Sequence, residues 1–204
     1  MTAIHRGIRI ALLLSSGVAW VLSAPGVARP GNPVLAHPAP GTTLIRFGQV
    51  DTGVYRGSKP KTDTDFRFLQ SKHIRYILDA RFLPFLAAPE GKKARQYGMV
   101  FLTSPISGSP LSPSQKHVER ILLILHDKRY HPIYFHCDLG RDRTSLLAAL
   151  YRMYFLGESQ QAAWREMKYY GFKDSWTLRG LKTYFFKHPQ PSPGLLAAAD
   201  IGYK

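Results

Sequence analysis

The sequence predicts an α/β domain: a mainly parallel central sheet of four to five strands with helices on both faces. Three observations predict it. Short runs rich in β-branched and aromatic residues alternate with longer runs of helical period. The run Ile133-Tyr134-Phe135 is wholly apolar, as a parallel strand covered on both faces must be. Residues 145–156 are almost all apolar or aromatic and read as a buried helix. No internal repeat interrupts this alternation.

The elements follow in order. Residues 42–57 mix Val, Ile, Phe and Tyr with Gly, and read as one or two short strands, a hairpin ending at Val54-Tyr55-Arg56. Lys59-Pro60 is a turn. Thr62 or Asp63 caps a short helix to about residue 72. Residues 74–80 alternate and are β-branched enough for a strand. Residues 81–90 contain Pro84 and Pro89 and read as a partly helical loop. Residues 90–97 form a short basic helix, and 99–102 another short strand. Residues 103–113 are rich in Ser, Pro and Gly, which marks a mobile surface loop. Ser114 caps a helix to about residue 126, with Val118, Ile121, Leu122 and Leu125 on one face. Then come the strand at 133–135, the loop 136–144 and the buried helix, which Gly157 ends. A helix over 159–170 stops at Gly171. Asp174 or Ser175 starts the last helix, which ends before Pro189. The Pro/Ala/Gly-rich stretch 188–204 is expected to be loose.

The chain has 204 residues, 45% of them hydrophobic, enough for one domain with a real core. Its net charge of +15 points to a polyanionic partner: nucleic acid, an anionic lipid surface or a phosphorylated substrate. The basic residues are scattered rather than gathered on one helix face, which argues against nucleic acid. Three regions are expected: a leader and Pro/Gly-rich linker at 1–36, a catalytic domain at 42–187 and the tail at 188–204. His5, Arg6 and Arg9 precede a charge-free apolar run at 10–22, the layout of a secretory signal. That run is shorter than the roughly 20 apolar residues of a spanning helix. Extended to Val27, it would serve as a retained anchor and a point of membrane association. Either reading places the protein outside the cytoplasm, periplasmic or secreted if bacterial, or held at the inner membrane. The chain has one cysteine, so Cys137 is no disulfide staple.

The stretch His136-Cys137-Asp138-Leu139-Gly140-Arg141-Asp142-Arg143-Thr144 joins strand to helix. Such a junction binds anions, because backbone N–H groups and the helix dipole both favour negative charge there. A helix start with cationic neighbours also lowers a thiol's pKa, and the thiolate is the nucleophile. Arg143 can grip a tetrahedral oxyanion through two parallel N–H bonds. Gly140 lets the backbone bend toward the ligand. Thr144 can donate to the sulfur.

His136-Cys137, five residues, then Arg143-Thr144 is the signature of the protein tyrosine phosphatase superfamily, which this chain resembles. Gly53-Val54-Tyr55-Arg56-Gly57-Ser58, Ile77-Leu78-Asp79-Ala80-Arg81, His131-Pro132-Ile133-Tyr134-Phe135 and Ala149-Leu150-Tyr151-Arg152 are similar to the small atypical dual-specificity phosphatases of bacteria, plants and fungi. The resemblance covers roughly residues 42–187. It implies a phosphocysteine intermediate at Cys137. Phosphate would be bound by Arg143 and the loop from Asp138 and Leu139 through Gly140 and Arg141, with His136 in support and no cofactor or metal. The partner it implies is a phosphorylated protein. Phosphoinositides, inositol phosphates or lipid phosphates are the alternative substrates. Two other readings use the same cradle: a phosphate-binding module without turnover, and a sulfurtransferase or arsenate reductase, for which a single-cysteine chain lacks a resolving thiol.

Most members carry an aspartate general acid on the loop that here is 103–113, and this loop has no Asp or Glu. Asp142 is the expected replacement, as in similar bacterial and myotubularin-like enzymes. The alternative is that Asp142 pairs with an arginine and shapes the loop. Asp138 is the second candidate. Arg141 is expected at the loop rim, facing further phosphates, with Lys92, Lys93 and Arg95 as an added basic rim. Asp79 with Arg81, and Arg56, read as structural ion pairs. His126, His131 and His136 do not share a helix or strand face, so they do not read as a metal site. Trp164, Trp176, Phe185 and Phe186 read as core.

Overall fold

The structure is a computed structural model that describes residues 38–107 and 111–201. The expected leader at 1–36 lies outside the described residues, as do 108–110 and 202–204. No helix among the described residues is long and apolar enough to cross a membrane.

Among the described residues five strands form one sheet: β1 (Gly48–Asp51), β2 (Val54–Ser58), β3 (Tyr76–Asp79), β4 (Val100–Thr103) and β5 (Ile133–Cys137), in the order β1-β2-β5-β3-β4. The β1–β2 hairpin is antiparallel, and all other pairings are parallel. This is the expected class. Among the described residues seven α-helices pack around the sheet: α1 (Asp63–Ser71), α2 (Ala88–Gln96), α3 (Gln115–His126), α4 (Arg143–Phe155), α5 (Gln160–Tyr169), α6 (Arg179–Lys187) and α7 (Pro193–Ile201).

Alternation along the strands divides the core in two. Ile77 and Tyr134 face Phe66, Leu69 and Ala94 of α1 and α2. Leu78, Ile133 and Phe135 face the layer of α3, α4, α5 and α6. Helix α4 lies deepest, with Thr144 through Met153 all buried. Each fully buried Leu or Phe stabilises the fold by about 1.5–3 kcal/mol. A strand buried on both faces therefore holds its position firmly, and β5 delivers the following loop to a set place.

Local signals explain the element ends. Thr62 caps α1, and Asp65 closes the reciprocal capping box. Ser159 caps α5 by accepting from the N–H of Ala162. Gly157 and Gly171 take positive φ after their helices, as expected of stop residues.

Several expectations need correction. Helix α2 begins at Ala88, because the 3-10 turn Pro84–Ala87 leads directly into it. Ser114 holds the N-cap position of α3 without a side-chain capping bond. Helix α6 begins at Arg179 after a 3-10 turn, later than Asp174 or Ser175. The stretch expected to be loose contains α7, whose Leu195 is buried against the core. Loop 103–113 is not wholly a surface segment, since Ile106 is fully buried. Trp176 and Phe186 are exposed, whereas Phe185 is core and Trp164 packs against it.

The sheet register sets up the site. Ser58 lies opposite Cys137, and Asp79 lies opposite His136. Three parallel strands thus end side by side, and ligands of open parallel sheets bind beyond such carboxyl ends.

Candidate active site

Cys137 is the last residue of β5 and Arg143 the first of α4, so the loop between them closes over the carboxyl edge of the sheet. Two glycines let it sit there. Gly140 has φ of +65°, and a Cβ on it would lie 2.5 Å from the backbone carbon of Gly57. A Cβ on Gly57 would in turn lie 2.3 Å from the hydroxyl of Tyr134. That hydroxyl donates to the carbonyl of Ser58 at 2.6 Å. Buried Arg56 braces the loop from below. Its Nη2 donates to the carbonyl of Gly140 and to Ser145 Oγ, each at 2.8 Å.

The thiol of Cys137 is buried, 3% exposed. Burial alone would hinder its ionisation. The hydroxyl and N–H of Thr144, the charge of Arg143 and the N–H of Arg141 outweigh that and move its pKa below the ordinary thiol value. The Thr144 hydroxyl is buried and has no oxygen or nitrogen partner among the described residues, which leaves it to the sulfur. The loop therefore wraps the sulfur in donors, as a nucleophilic thiolate requires.

Arg143 is anchored by its Nε, which donates to the carbonyl of Ile106 at 2.7 Å. Among the described residues no hydrogen bond engages its terminal nitrogens. Asp142 is 7% exposed and accepts from three sides: Arg141 Nε and Nη2, both at 2.9 Å to Oδ2, and the N–H of Lys173 at 2.9 Å to Oδ1. To pass a proton to a leaving group, Asp142 would first have to exchange its bonds to Arg141. The geometry is that of the alternative reading, in which Asp142 pairs with an arginine and shapes the loop. Asp138 and Leu139 stand exposed at the rim, with Asp138 Oδ1 3.9 Å from Lys59 Nζ.

Behind the loop lies a buried polar cluster that the sequence reading captured only in part. Arg81 bonds both oxygens of Asp79 and reaches Glu90 Oε2 at 2.7 Å. His136 Nδ1 contacts the carbonyl of Cys137 at 3.0 Å. Its Nε2 lies 2.8 Å from Glu90 Oε1, off the line of a good hydrogen bond. Burial disfavours the imidazolium, but the Glu90 and Asp79 carboxylates prevail and raise the His136 pKa to about 8. Glu90, Ile106, Lys173 and Arg46 were missed in the sequence. They lie 29 or more residues from the loop in sequence, and no local motif marks any of them.

The other candidates are placed as follows. Lys93 bonds Asp63, while Lys92 and Arg95 are exposed. His126 stacks on Phe155, and His131 Nε2 contacts the carbonyl of Leu125. No cluster of three potential metal ligands occurs among the described residues.

The parallel sheet thus ends in a buried thiol whose pKa is lowered by Thr144, Arg143 and Arg141, with Arg143 anchored on Ile106 beside it. The sequence model of a family described as "DSP-PTPase phosphatase fused to NAD+ Kinase" matches residues 45–180, including the whole loop. The chain belongs to this dual-specificity branch of the protein tyrosine phosphatase superfamily, whose members are phosphoric monoester hydrolases. It is 32% identical over 126 residues to "Inositol diphosphatase DSP3" of Arabidopsis thaliana, covering 58% of this chain and 56% of that protein. It is 40% identical over 57 residues to "Dual specificity protein phosphatase TpbA" of Pseudomonas aeruginosa, covering 28% of this chain and 26% of that one. The chain thus matches about half the length of the plant relative and a quarter of the bacterial one. Among solved structures, the core catalytic domain of the PP-IP phosphatase SIW14 from S. cerevisiae superposes with a TM-score of 0.67 at 20% identity, over 82% of this chain and 97% of that one. That likeness is one of fold.

Proposed function

We propose that the chain hydrolyses phosphate groups carried on weakly basic leaving groups, through a phosphocysteine at Cys137. A phosphotyrosine and an inositol diphosphate are the two substrate types of this kind. The observation that carries the reading is the sulfur of Cys137, held among the donors of Thr144 and Arg141 beside an arginine anchored on Ile106.

The Cys137 thiolate attacks phosphorus in line with the leaving oxygen. The S–P bond forms, and the P–O bond breaks with its electron pair on the leaving group. Charge on the equatorial oxygens meets the loop N–H groups and the terminal nitrogens of Arg143. Water then attacks phosphorus, the S–P bond breaks and inorganic phosphate leaves. The Thr144 hydroxyl steadies the sulfur as it attacks and again as it departs.

The leaving-group restriction follows from the proton supply. A general acid contributes about 10²–10⁴ in rate. Loop 103–113 carries no carboxylate, and Asp142 is engaged by Arg141 and Lys173. We take Asp142 as the brace of the loop. A phenolate or a phosphate departs with little protonation, whereas an alkoxide does not. The names of the relatives, an inositol diphosphatase and a dual-specificity protein phosphatase, fit these substrate types.

The test compares an aryl phosphate, an inositol diphosphate and an alkyl phosphate on the purified protein. The first two should turn over at least about 100-fold faster than the third, and Cys137→Ser should abolish all turnover. Equal rates on the alkyl ester would overturn the restriction, and turnover by Cys137→Ser would overturn the mechanism. We also propose export, on the strength of residues 5–22. A processed N terminus between residues 23 and 37 would support it, and intact Met1 confined to the cytosolic fraction would overturn it.

A further inference from the structure

We infer that Arg46 and Arg141 form a second anion subsite beside the catalytic loop, which receives a second phosphate borne by the same small polyol as the scissile one. The inference rests on the phosphatase reading above and names what that site recognises.

Arg46 precedes β1 and is clamped to the end of β2. The N–H of Ile45 donates to Ser58 Oγ, and the N–H of Ser58 donates to the carbonyl of Ile45, both at 3.0 Å. From there the guanidinium reaches the loop. Nη1 donates to the carbonyl of Leu139 at 3.1 Å, and Nε donates to the carbonyl of Tyr170 at 2.8 Å. Leu139 is two residues from Cys137, so Arg46 is bonded directly to the loop 136–144. Both acceptors are neutral carbonyls. Among the described residues no carboxylate pairs with Arg46, and no hydrogen bond engages its Nη2.

Arg141 comes to the same spot from the loop itself. A Cβ on Gly171 would lie 3.5 Å from Arg46 Nη2 and 3.7 Å from Arg141 Cδ. Gly171, with φ of +81°, therefore separates two arginines that flank one patch. Arg141 is paired with Asp142, whereas Arg46 makes no ion pair among the described residues. Burial and the charge of Arg141 depress the pKa of Arg46 and outweigh the opposite influence of Asp142 and Cys137. An anion lying across the pair would relieve that repulsion.

The backbone supports the same reading. Arg46 has φ of +57°, a left-handed conformation uncommon for residues other than Gly, Asn and Asp. Strained conformations of this kind persist where surrounding bonds over-determine them, and they cluster at ligand sites. A guanidinium presents a planar fork suited to a phosphate, and the free Nη2 is one tine of it. The pair sits next to the loop that holds the scissile phosphate, so its ligand is a neighbouring phosphate on one compact carrier.

Calorimetry on the Cys137→Ser protein tests this, with inorganic phosphate, a soluble inositol bisphosphate, and a short-chain phosphatidylinositol bisphosphate presenting the same two phosphomonoesters. A two-phosphate ligand should bind at least about tenfold tighter than inorganic phosphate. Arg46→Asn, which tolerates the left-handed backbone, should bring that ratio to within about twofold. Arg141→Gln should lower it too, and decides the matter if Arg46→Asn does not fold. A parent ratio near one, or a ratio that neither variant lowers, would overturn the subsite while leaving the phosphatase reading intact. Failure of inorganic phosphate to bind the Cys137→Ser protein would instead overturn that reading. Tighter binding of the soluble ligand assigns a free polyol phosphate, and tighter binding of the lipid assigns a membrane head group. Either result carries the subsite.

Discussion

Arg143 donates through Nε to the carbonyl of Ile106 at 2.7 Å, which ties the arginine at the start of α4 to the carboxylate-free loop after β4. Ile106 is itself fully buried, so the anchor is rigid. The bond uses the inner nitrogen of the guanidinium and leaves the terminal pair unengaged among the described residues. The loop after β4 thus orients the arginine even though it supplies no proton.

Arg143→Lys should cost far more than a lost charge. An ammonium has no second donor set to hold Ile106 and a planar phosphate face together. The expected fall in kcat/KM for an aryl phosphate is about 10²–10³, with the near-UV circular dichroism unchanged. A loss below about tenfold would show that the anchored fork is not what holds the transition state.

Asp142→Asn separates a brace from a proton donor. As a brace of Arg141 and the Lys173 N–H, Asp142 matters equally to every substrate. Aryl and alkyl phosphate hydrolysis should therefore fall by the same factor. An alkyl rate that falls about 100-fold more than the aryl rate would restore Asp142 to the acid role.

The thiolate of Cys137 should respond to Thr144. Burial raises its pKa, and the Thr144 hydroxyl is the foremost of the groups that lower it. Thr144→Val removes that hydroxyl at similar volume. The pH midpoint of alkylation by iodoacetamide should move upward, and kcat should fall at neutral pH. An unmoved midpoint would remove Thr144 from thiolate stabilisation.

The His136–Glu90 contact predicts a pH-dependent stability. The folded His136 pKa is about 8, above the ordinary value of 6.5. A pKa raised by folding contributes stability that is complete below about 6.5 and is lost as pH rises through 8. The contribution is on the order of 2 kcal/mol. Melting temperature should therefore decline between pH 6.5 and pH 8.5, and Glu90→Gln should flatten that decline. A variant with the same slope as the parent would exclude the pair as its source.

Much of the site was legible in the chain because its chemistry is local. Cys137, Gly140, Arg143 and Thr144 fall within eight consecutive residues between a buried strand and a buried helix, and their spacing alone implies the cradle. The partners that tune those residues are remote. Ile106, Glu90, Lys173 and Arg46 reach the loop through backbone paths that no period or propensity reveals. Helix α7 escaped notice for a related reason: Pro, Gly and Ala suggest looseness, and only packing of Leu195 on the core decides otherwise.

The sequence by itself determined the parallel sheet and set Cys137 and Arg143 at the two ends of one strand-to-helix loop, since apolar period and motif spacing are properties of neighbours along the chain. Only the tertiary structure decided that Asp142 is engaged by Arg141 and that Arg46 donates to the carbonyl of Leu139. Those facts depend on which distant donors and acceptors the folded sheet brings within 3 Å, and chain order holds no record of that distance.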